Sequence, residues 1–92
     1  MKYYEVVEMR TGTYDEWVKY NGTNLEKAKE SFNFYADYIP KGDFDCKVEI
    51  REYEVPENWN ELDEDEQSDT ICDIAEYNTV AEAQGDKFIQ SV

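Results

Sequence analysis

Histidine is absent from this chain of 92 residues. Its absence excludes catalysis by Ser/His or Cys/His pairs, metal sites built on imidazole, and a histidine switch near neutral pH. Carboxylates are plentiful, but a chain of this length is expected to form only a short sheet with one covering helix. Such a fold leaves little room for a cleft that holds a catalytic pair of carboxylates. We therefore expect no enzymatic activity and no catalytic residue.

Long apolar runs are also lacking. No segment approaches the roughly 18 to 20 consecutive apolar residues that span a bilayer, and the opening Met1-Lys2-Tyr3-Tyr4-Glu5 does not have the apolar run of a secretory leader. A cytoplasmic location is expected. The two cysteines, Cys46 and Cys72, are expected to stay reduced there.

Basic side chains are missing from residues 52 to 86, a stretch without a single Lys, Arg or His. The same stretch carries thirteen acids: Glu52, Glu54, Glu57, Glu61, Asp63, Glu64, Asp65, Glu66, Asp69, Asp73, Glu76, Glu82 and Asp86. Residues 1 to 51 hold ten acids against eight bases, so nearly all of the net charge of −14 comes from the acidic stretch. Such a charge argues against direct binding to nucleic acid or to an anionic membrane.

Leucine is scarce as well, with only two residues, whereas eight Tyr, four Phe and two Trp are present. Large rings bury much area per residue, so aromatic side chains are expected to build most of the core. A chain of this length is expected to form a single domain over residues 1–92.

The first 55 residues are expected to form a ββαβ body, with an antiparallel sheet of about three strands and one packed helix, which is an α+β fold. Two strands, at residues 3–10 and 15–20, are predicted to form a hairpin, with Val18 and Tyr20 on one face.

A helix is predicted to follow, because Thr23 and Glu26 have the spacing of a capping box in which Thr23 is the N-cap. Pro40 and Gly42 are expected to end it. Its apolar stripe is predicted to consist of Leu25, Ala28, Phe32, Tyr35, Ala36 and Ile39.

A third strand is predicted where Phe44, Cys46, Val48 and Ile50 alternate with charged residues. The alternation changes phase beyond Ile50, which indicates either a bulge or a strand end near Glu52.

Residues 56–79 are expected to form an acidic helical element of the same domain. Trp59 and Leu62 are predicted to anchor a short helical turn or an ordered loop. From about Asp63 to Tyr77, the helical period gathers apolar side chains on one side and carboxylates on the other. The apolar side consists of Ile71, Ile74 and Ala75, with Gln67 and Asn78 beside them. Residues 80–92 fit either a short strand with a turn at Gly85 or a frayed tail.

No metal site or cofactor is predicted. Asp63 and Asp65 begin like a calcium-binding EF-hand loop, but the pattern requires Gly where Ser68 stands and Glu where Ile74 stands. A Gly-rich phosphate-binding loop is also lacking.

A partner is expected to meet the acidic helix. The helix dipole favours acids in the first turn, which accounts in part for Asp63 to Glu66, but it does not favour Asp73 or Glu76 near the expected helix end. The predicted partner-binding residues are Glu61, Asp63, Glu64, Asp65, Glu66, Asp69, Asp73, Glu76 and Trp59. The first hypothesis is that these carboxylates imitate the phosphates of nucleic acid and block the basic groove of a DNA- or RNA-binding protein.

Two alternatives remain open at this point. The chain could be an interaction adaptor or an oligomeric structural protein in which exposed aromatic side chains anchor a partner and the acids form only the rim. The candidate anchors are Tyr14, Trp17, Phe34, Tyr38 and Trp59. The acidic side could also be merely a solvated surface.

In length, in its opening Met1-Lys2-Tyr3-Tyr4-Glu5-Val6-Val7, in its ββαβ order and in the acids between Asn58 and Glu76, the chain resembles small acidic proteins of phages and mobile elements. These include anti-CRISPR and anti-restriction inhibitors that act as DNA mimics. The resemblance implies that the protein acts in the host cytoplasm and that its target is a host nuclease or another DNA-binding defence protein.

Overall fold

The computed structural model describes residues 1–10, 15–37, 46–74, 76–84 and 87–90. The elements, in chain order, are β1 (Lys2–Arg10), β2 (Glu16–Gly22), α1 (Leu25–Ala36), β3 (Cys46–Glu54), a short 3-10 helix (Trp59–Glu61), α2 (Glu64–Asp73), β4 (Asn78–Gln84) and β5 (Lys87–Gln90). The strands form one antiparallel sheet in the order β2-β1-β3-β4-β5.

The α+β class and the antiparallel sheet are confirmed, but about three strands was too few. Of the two expectations for residues 80–92, the structure contains strands, because β4 pairs with β3 and β5 pairs with β4. Without β4, the backbone groups along one side of β3 would form an open sheet edge, and β4 satisfies them. Val80, Ala81 and Ala83 of β4 are buried.

The β1–β2 hairpin is confirmed, although its loop at residues 11–14 lies outside the described residues. Val6 pairs with Tyr20 and Val7 pairs with Val18, so Lys19 is an extra residue in β2, which is a β-bulge. Successive residues of β1 point to opposite faces. Val18 and Tyr20 therefore lie on opposite faces, and the expectation that they share one was wrong.

Helix α1 begins one residue later than the capping-box pattern suggested, because Asn24 is the N-cap. The Asn24 side chain accepts a hydrogen bond from the backbone N–H of Lys27, with an oxygen-to-nitrogen distance of 3.1 Å. The prediction that Thr23 caps the helix was therefore wrong. The predicted end near Pro40 and Gly42 lies outside the described residues, and α1 is described as far as Ala36.

Replacing Asn24 with Ala is expected to lower the free energy of unfolding by about 1 kcal/mol, because the N–H of Lys27 loses its partner. Thr23→Ala, one residue earlier, is the matched control and should change stability by less than about 0.5 kcal/mol. Urea unfolding followed by circular dichroism measures both. A larger loss for Thr23→Ala than for Asn24→Ala would contradict the observed cap.

The apolar stripe of α1 packs on one face of the sheet and forms what we call the first core. Ala28 and Phe32 are fully buried there, with Val6, Val48 and Ile50 from β1 and β3. Leu25, Tyr35 and Ala36 pack around them, as the helical spacing predicted. Ile39, the last residue of the predicted stripe, lies outside the described residues.

The opposite face of the sheet carries a second core, which explains the change of phase along β3. Tyr53, Val55 and Trp59 are buried in this second core, next to Tyr3 and Met1. Strand β3 pairs with β1 without interruption from Cys46 to Glu54, so neither a bulge nor a strand end occurs on that side near Glu52. An irregularity does occur between Ile50 and Arg51, but in the pairing with β4. The phase changes because the sheet is covered on both faces.

Candidate protein-interaction surface

The second core holds the acidic part of the chain against the sheet. The Trp59 ring packs against Tyr3 with 4.8 Å between ring centroids. Leu62, Ile71 and Ile74 pack around the same cluster. The Gln67 side-chain amide of α2 donates a hydrogen bond of 2.8 Å to the carbonyl oxygen of Trp59, which joins α2 to the 3-10 helix. Of the two expectations for the segment around Trp59 and Leu62, the short helical turn is confirmed, because Trp59–Glu61 form a 3-10 helix and both side chains belong to the second core.

Helix α2 is shorter than predicted. It begins where expected, since the Asp63 carboxylate is the N-cap and accepts a 2.8 Å hydrogen bond from the N–H of Glu66. It ends at Asp73, because Ile74 has an extended backbone and the chain then enters β4. Ile74 still packs against the second core, as predicted, although it lies outside the helix. Glu76 is likewise not a helical residue, so its predicted alignment with the helix was wrong.

All eight predicted carboxylates are exposed, and we call them the acidic surface. Its members are Glu61, Asp63, Glu64, Asp65, Glu66, Asp69, Asp73 and Glu76. Asp63 has a structural role as the helix cap. Asp73 occupies the last position of α2, where the helix dipole disfavours an acid. The helix dipole therefore explains only the members near the helix start.

The cations of the described residues lie elsewhere. Arg51 binds Glu16 and Glu49, Lys47 binds Glu49 and Glu82, and Lys2 binds Glu52 and Glu54. Lys19 and Lys29 pair with Glu8 and Glu26. Across the described ranges, no ion pair includes a member of the acidic surface. Among the described residues, the positive charges therefore neutralise acids of the sheet and α1, and none of them pairs with the acidic surface.

Glu49 is the buried centre of this ionic network on the sheet. Glu49 is only 3% exposed, and its carboxylate forms ion pairs with Arg51 and Lys47. The Arg51 guanidinium also lies over the Tyr77 ring, 4.8 Å from its centroid. Burial opposes the charge of Lys47, but its hydrogen bonds and charge contacts with Glu82 and Glu49 outweigh burial and raise its pKa. Alternation on β3 predicts an outward Glu49, so sequence reasoning missed this buried network.

The tyrosines beneath α2 stay protonated to high pH. Burial, followed by the nearby Glu5 carboxylate, raises the pKa of Tyr3 to about 12. Burial, followed by the same carboxylate, also raises the pKa of Tyr53. Burial in the second core therefore disfavours the charged phenolate form of both side chains.

Trp59 does not lie where the aromatic-anchor alternative requires it. Its side chain is 3% exposed, so the expectation of an exposed Trp59 was wrong. Its apolar neighbours in the second core are the reason. Trp17 and Phe34 are exposed at 44% and 55%, as that alternative expected. Tyr14 and Tyr38 lie outside the described residues.

Comparison with known proteins does not assign the chain to a family. A scan against protein-family models, a search of curated proteins and a search of solved structures find no significant match. Among the helices that the structure describes, none has both the length and the apolar character needed to cross a bilayer. Within the same residues, no group of three or more acidic or cysteine side chains is placed to hold a metal ion.

Proposed function

We propose that this protein is a non-enzymatic inhibitor whose acidic surface imitates the charge of nucleic acid. The surface would occupy the basic groove of a DNA- or RNA-binding protein, such as a host defence nuclease, in the cytoplasm of the host cell. Nucleic-acid-binding proteins present grooves rich in Lys and Arg, and these grooves attract any surface with the charge pattern of phosphates.

The separation of charge is the observation that carries this proposal. Surface helices are commonly stabilised by Glu and Lys four residues apart, and each such pair contributes a few tenths of a kcal/mol, about 0.2–0.5. Helix α2 contains no Lys or Arg, so it has none of these pairs. It accepts repulsion among Glu66, Asp69 and Asp73 instead. A surface that gives up this stabilisation is well suited to a positively charged partner.

The spacing of the carboxylates agrees with the proposal. The ten residues of α2 include five acids, Glu64, Asp65, Glu66, Asp69 and Asp73. At ~1.5 Å rise per residue the helix is ~15 Å long, which is about one charge per 3 Å of axis. One strand of duplex DNA carries a phosphate every ~3.4 Å.

An interaction module anchored by aromatic side chains is the second candidate. Exposed Trp17 and Val18 on β2, at 44% and 50%, and exposed Phe34 on α1 favour it. Such an interface depends mainly on buried apolar area, so its affinity is far less sensitive to salt than that of a charge mimic.

The test compares two triple charge reversals in a capture experiment from host lysate. The first variant reverses the acidic surface through Glu66→Lys, Asp69→Lys and Asp73→Lys. The matched control reverses exposed acids on and beside α1, on the other face of the sheet, through Glu26→Lys, Glu30→Lys and Asp37→Lys. Both variants change the net charge equally, so only the location of the charge differs.

We expect the wild type and the α1 control to capture a basic nucleic-acid-binding protein and the α2 variant to lose it. The complex should dissociate as the salt concentration rises from about 50 to 500 mM, and duplex DNA should compete with this protein for the captured partner. Trp17→Ala and Phe34→Ala test the second candidate, in which exposed aromatic side chains anchor the partner. Loss of binding in these two variants, with the α2 reversal still binding, would refute charge mimicry.

A further inference from the structure

A cleft of about 390 Å³ lies between α2 and the β1–β2 edge of the sheet. Its lining includes the aromatic side chains Tyr3 and Trp59, together with Glu5 from β1 and Glu64 from the first turn of α2. The volume falls within the range of about 300–1,000 Å³ that is typical of ligand pockets. The cleft therefore has the size to receive one side chain of a partner protein.

The charge of the cleft is negative on two sides. Glu5 lies in the sheet and Glu64 lies on the helix, and no Lys or Arg lines the space between them. Arg51 pairs with Glu5 in the strand register, but its guanidinium binds Glu16 and Glu49. Within the part of the chain that the structure describes, neither Glu5 nor Glu64 has an ion pair. A cation that enters the cleft would meet both carboxylates without displacing an internal one.

The half-buried ring of Tyr3, which packs on the buried Trp59, makes the cleft selective for a flat cation. A guanidinium group is planar, stacks on aromatic faces and binds carboxylates with paired N–H groups. An ammonium group is compact and strongly hydrated, so it gains less from the same walls. The Gln67 side chain also lines the cleft, and its carbonyl oxygen is available as an acceptor because its amide nitrogen donates to Trp59.

We propose that this cleft receives an arginine side chain from the basic partner. The inference rests on the proposed function, because the partner that presents the arginine is the one that the acidic surface recognises. The acidic surface would attract the partner over a distance, and the cleft would fix its position through one inserted side chain. Glu5 would thereby be a partner-binding residue that lies outside the acidic surface.

Nα-acetyl-arginine amide is the probe that tests the cleft directly. The ¹⁵N-labelled full chain is titrated with this probe, and the side-chain N–H signals of Trp59, Gln67 and Asn21 are followed by NMR. We expect these signals to shift in a saturable way, while the Trp17 indole signal on the exposed part of β2 stays in place. Nα-acetyl-citrulline amide has the same shape without the charge and is the matched ligand control. The lysine analogue is expected to bind about five-fold or more weakly.

The variants separate the cleft from general charge attraction. Glu5→Gln with Glu64→Gln keeps the shape of both side chains and should weaken arginine binding about ten-fold or more. Asp69→Asn with Asp73→Asn removes the same charge outside the cleft and should change the affinity by less than about two-fold. Equal weakening in the two variants, or no saturable shift of the cleft signals, would overturn the inference. Thermal unfolding by circular dichroism checks that every variant is folded.

The two proposals fail in different ways. If the Glu5→Gln and Glu64→Gln variant captures its partner as well as wild type, then the cleft inference is wrong and charge mimicry stands. If the α2 charge reversal still captures the partner while the arginine probe binds wild type, then the proposed function is wrong. The cleft then still binds arginine, but the protein that presents this arginine is not a partner recognised by the acidic surface.

Discussion

Phe32→Ala is expected to lower the free energy of unfolding by about 3–5 kcal/mol. The Phe32 ring is buried between α1 and the sheet, where it is the largest of the fully buried side chains. Its removal leaves a cavity beneath a helix that cannot move closer, because Ala28 already packs tightly against the same sheet. A domain of this size has a total stability of about 5–15 kcal/mol, so this single change is severe.

The matched control is Phe34→Ala, two positions along the same helix. Phe34 is 55% exposed, and its ring makes an edge-to-face contact with Tyr35, at 5.1 Å between centroids. Its replacement should change stability by less than about 1 kcal/mol. Urea unfolding, analysed with one m-value for both variants, measures the difference in their free energies of unfolding. Similar losses in both variants would show that α1 does not present the face that the structure describes.

Trp59→Ala is expected to lower stability by a similar amount, about 3–5 kcal/mol, and to release α2 in particular. The Trp59 ring packs against Tyr3, and the Trp59 carbonyl oxygen accepts the hydrogen bond from Gln67. Loss of the ring removes the centre of the second core, which is the apolar support of α2. The acidic surface should then lose its fixed position on the sheet.

Native-state hydrogen exchange distinguishes this local release from general destabilisation. In Trp59→Ala, the amide protons of α2 should lose more protection than those of α1, because α1 packs on the opposite face. Trp17→Ala is the control, since Trp17 is 44% exposed and belongs to neither core. An unchanged exchange pattern in α2 would mean that Trp59 does not hold this helix.

The burial of Trp59 also changes how binding experiments are interpreted. Loss of a partner in Trp59→Ala does not identify an aromatic anchor, because the same variant displaces α2. Trp17→Ala and Phe34→Ala test the exposed aromatic side chains without disturbing either core. Charge reversal at Asp73 tests the acidic surface, and a Lys at this position is also favoured by the helix dipole.

Local patterns predicted the elements in which apolar residues recur at a regular spacing. The β1–β2 hairpin and the apolar stripe of α1 were predicted because the spacing of their residues repeats with the period of a strand or a helix. The extent of α2 was overestimated, because Ile74 fits both a helical stripe and the extended segment that leads to β4. Strand β4 was ambiguous because its buried residues, such as Ala81 and Ala83, are small and give a weak apolar pattern.

The cleft could not be predicted from spacing along the chain. Glu5 and Glu64 are far apart in sequence, and they line one space only because the 3-10 helix and Trp59 turn α2 back over β1. One signal was present, since Tyr3 and Glu5 lie on the same face of β1 as Val7, which is fully buried. A strand that is apolar on both faces predicts that something covers the second face.

The sequence by itself determined the location of the charge, because residues 52 to 86 contain thirteen acids and no base. It also determined the α+β class, through the periods of β1, α1 and β3. Only the tertiary structure decided where the positive charges are used. Lys47 and Arg51 lie two residues on either side of Glu49 along β3, but they reach Glu82 and Glu16 on other strands of the sheet, and those contacts cannot be read from neighbouring residues. Neither of these cations compensates the acidic surface, because the sheet holds both on its own carboxylates.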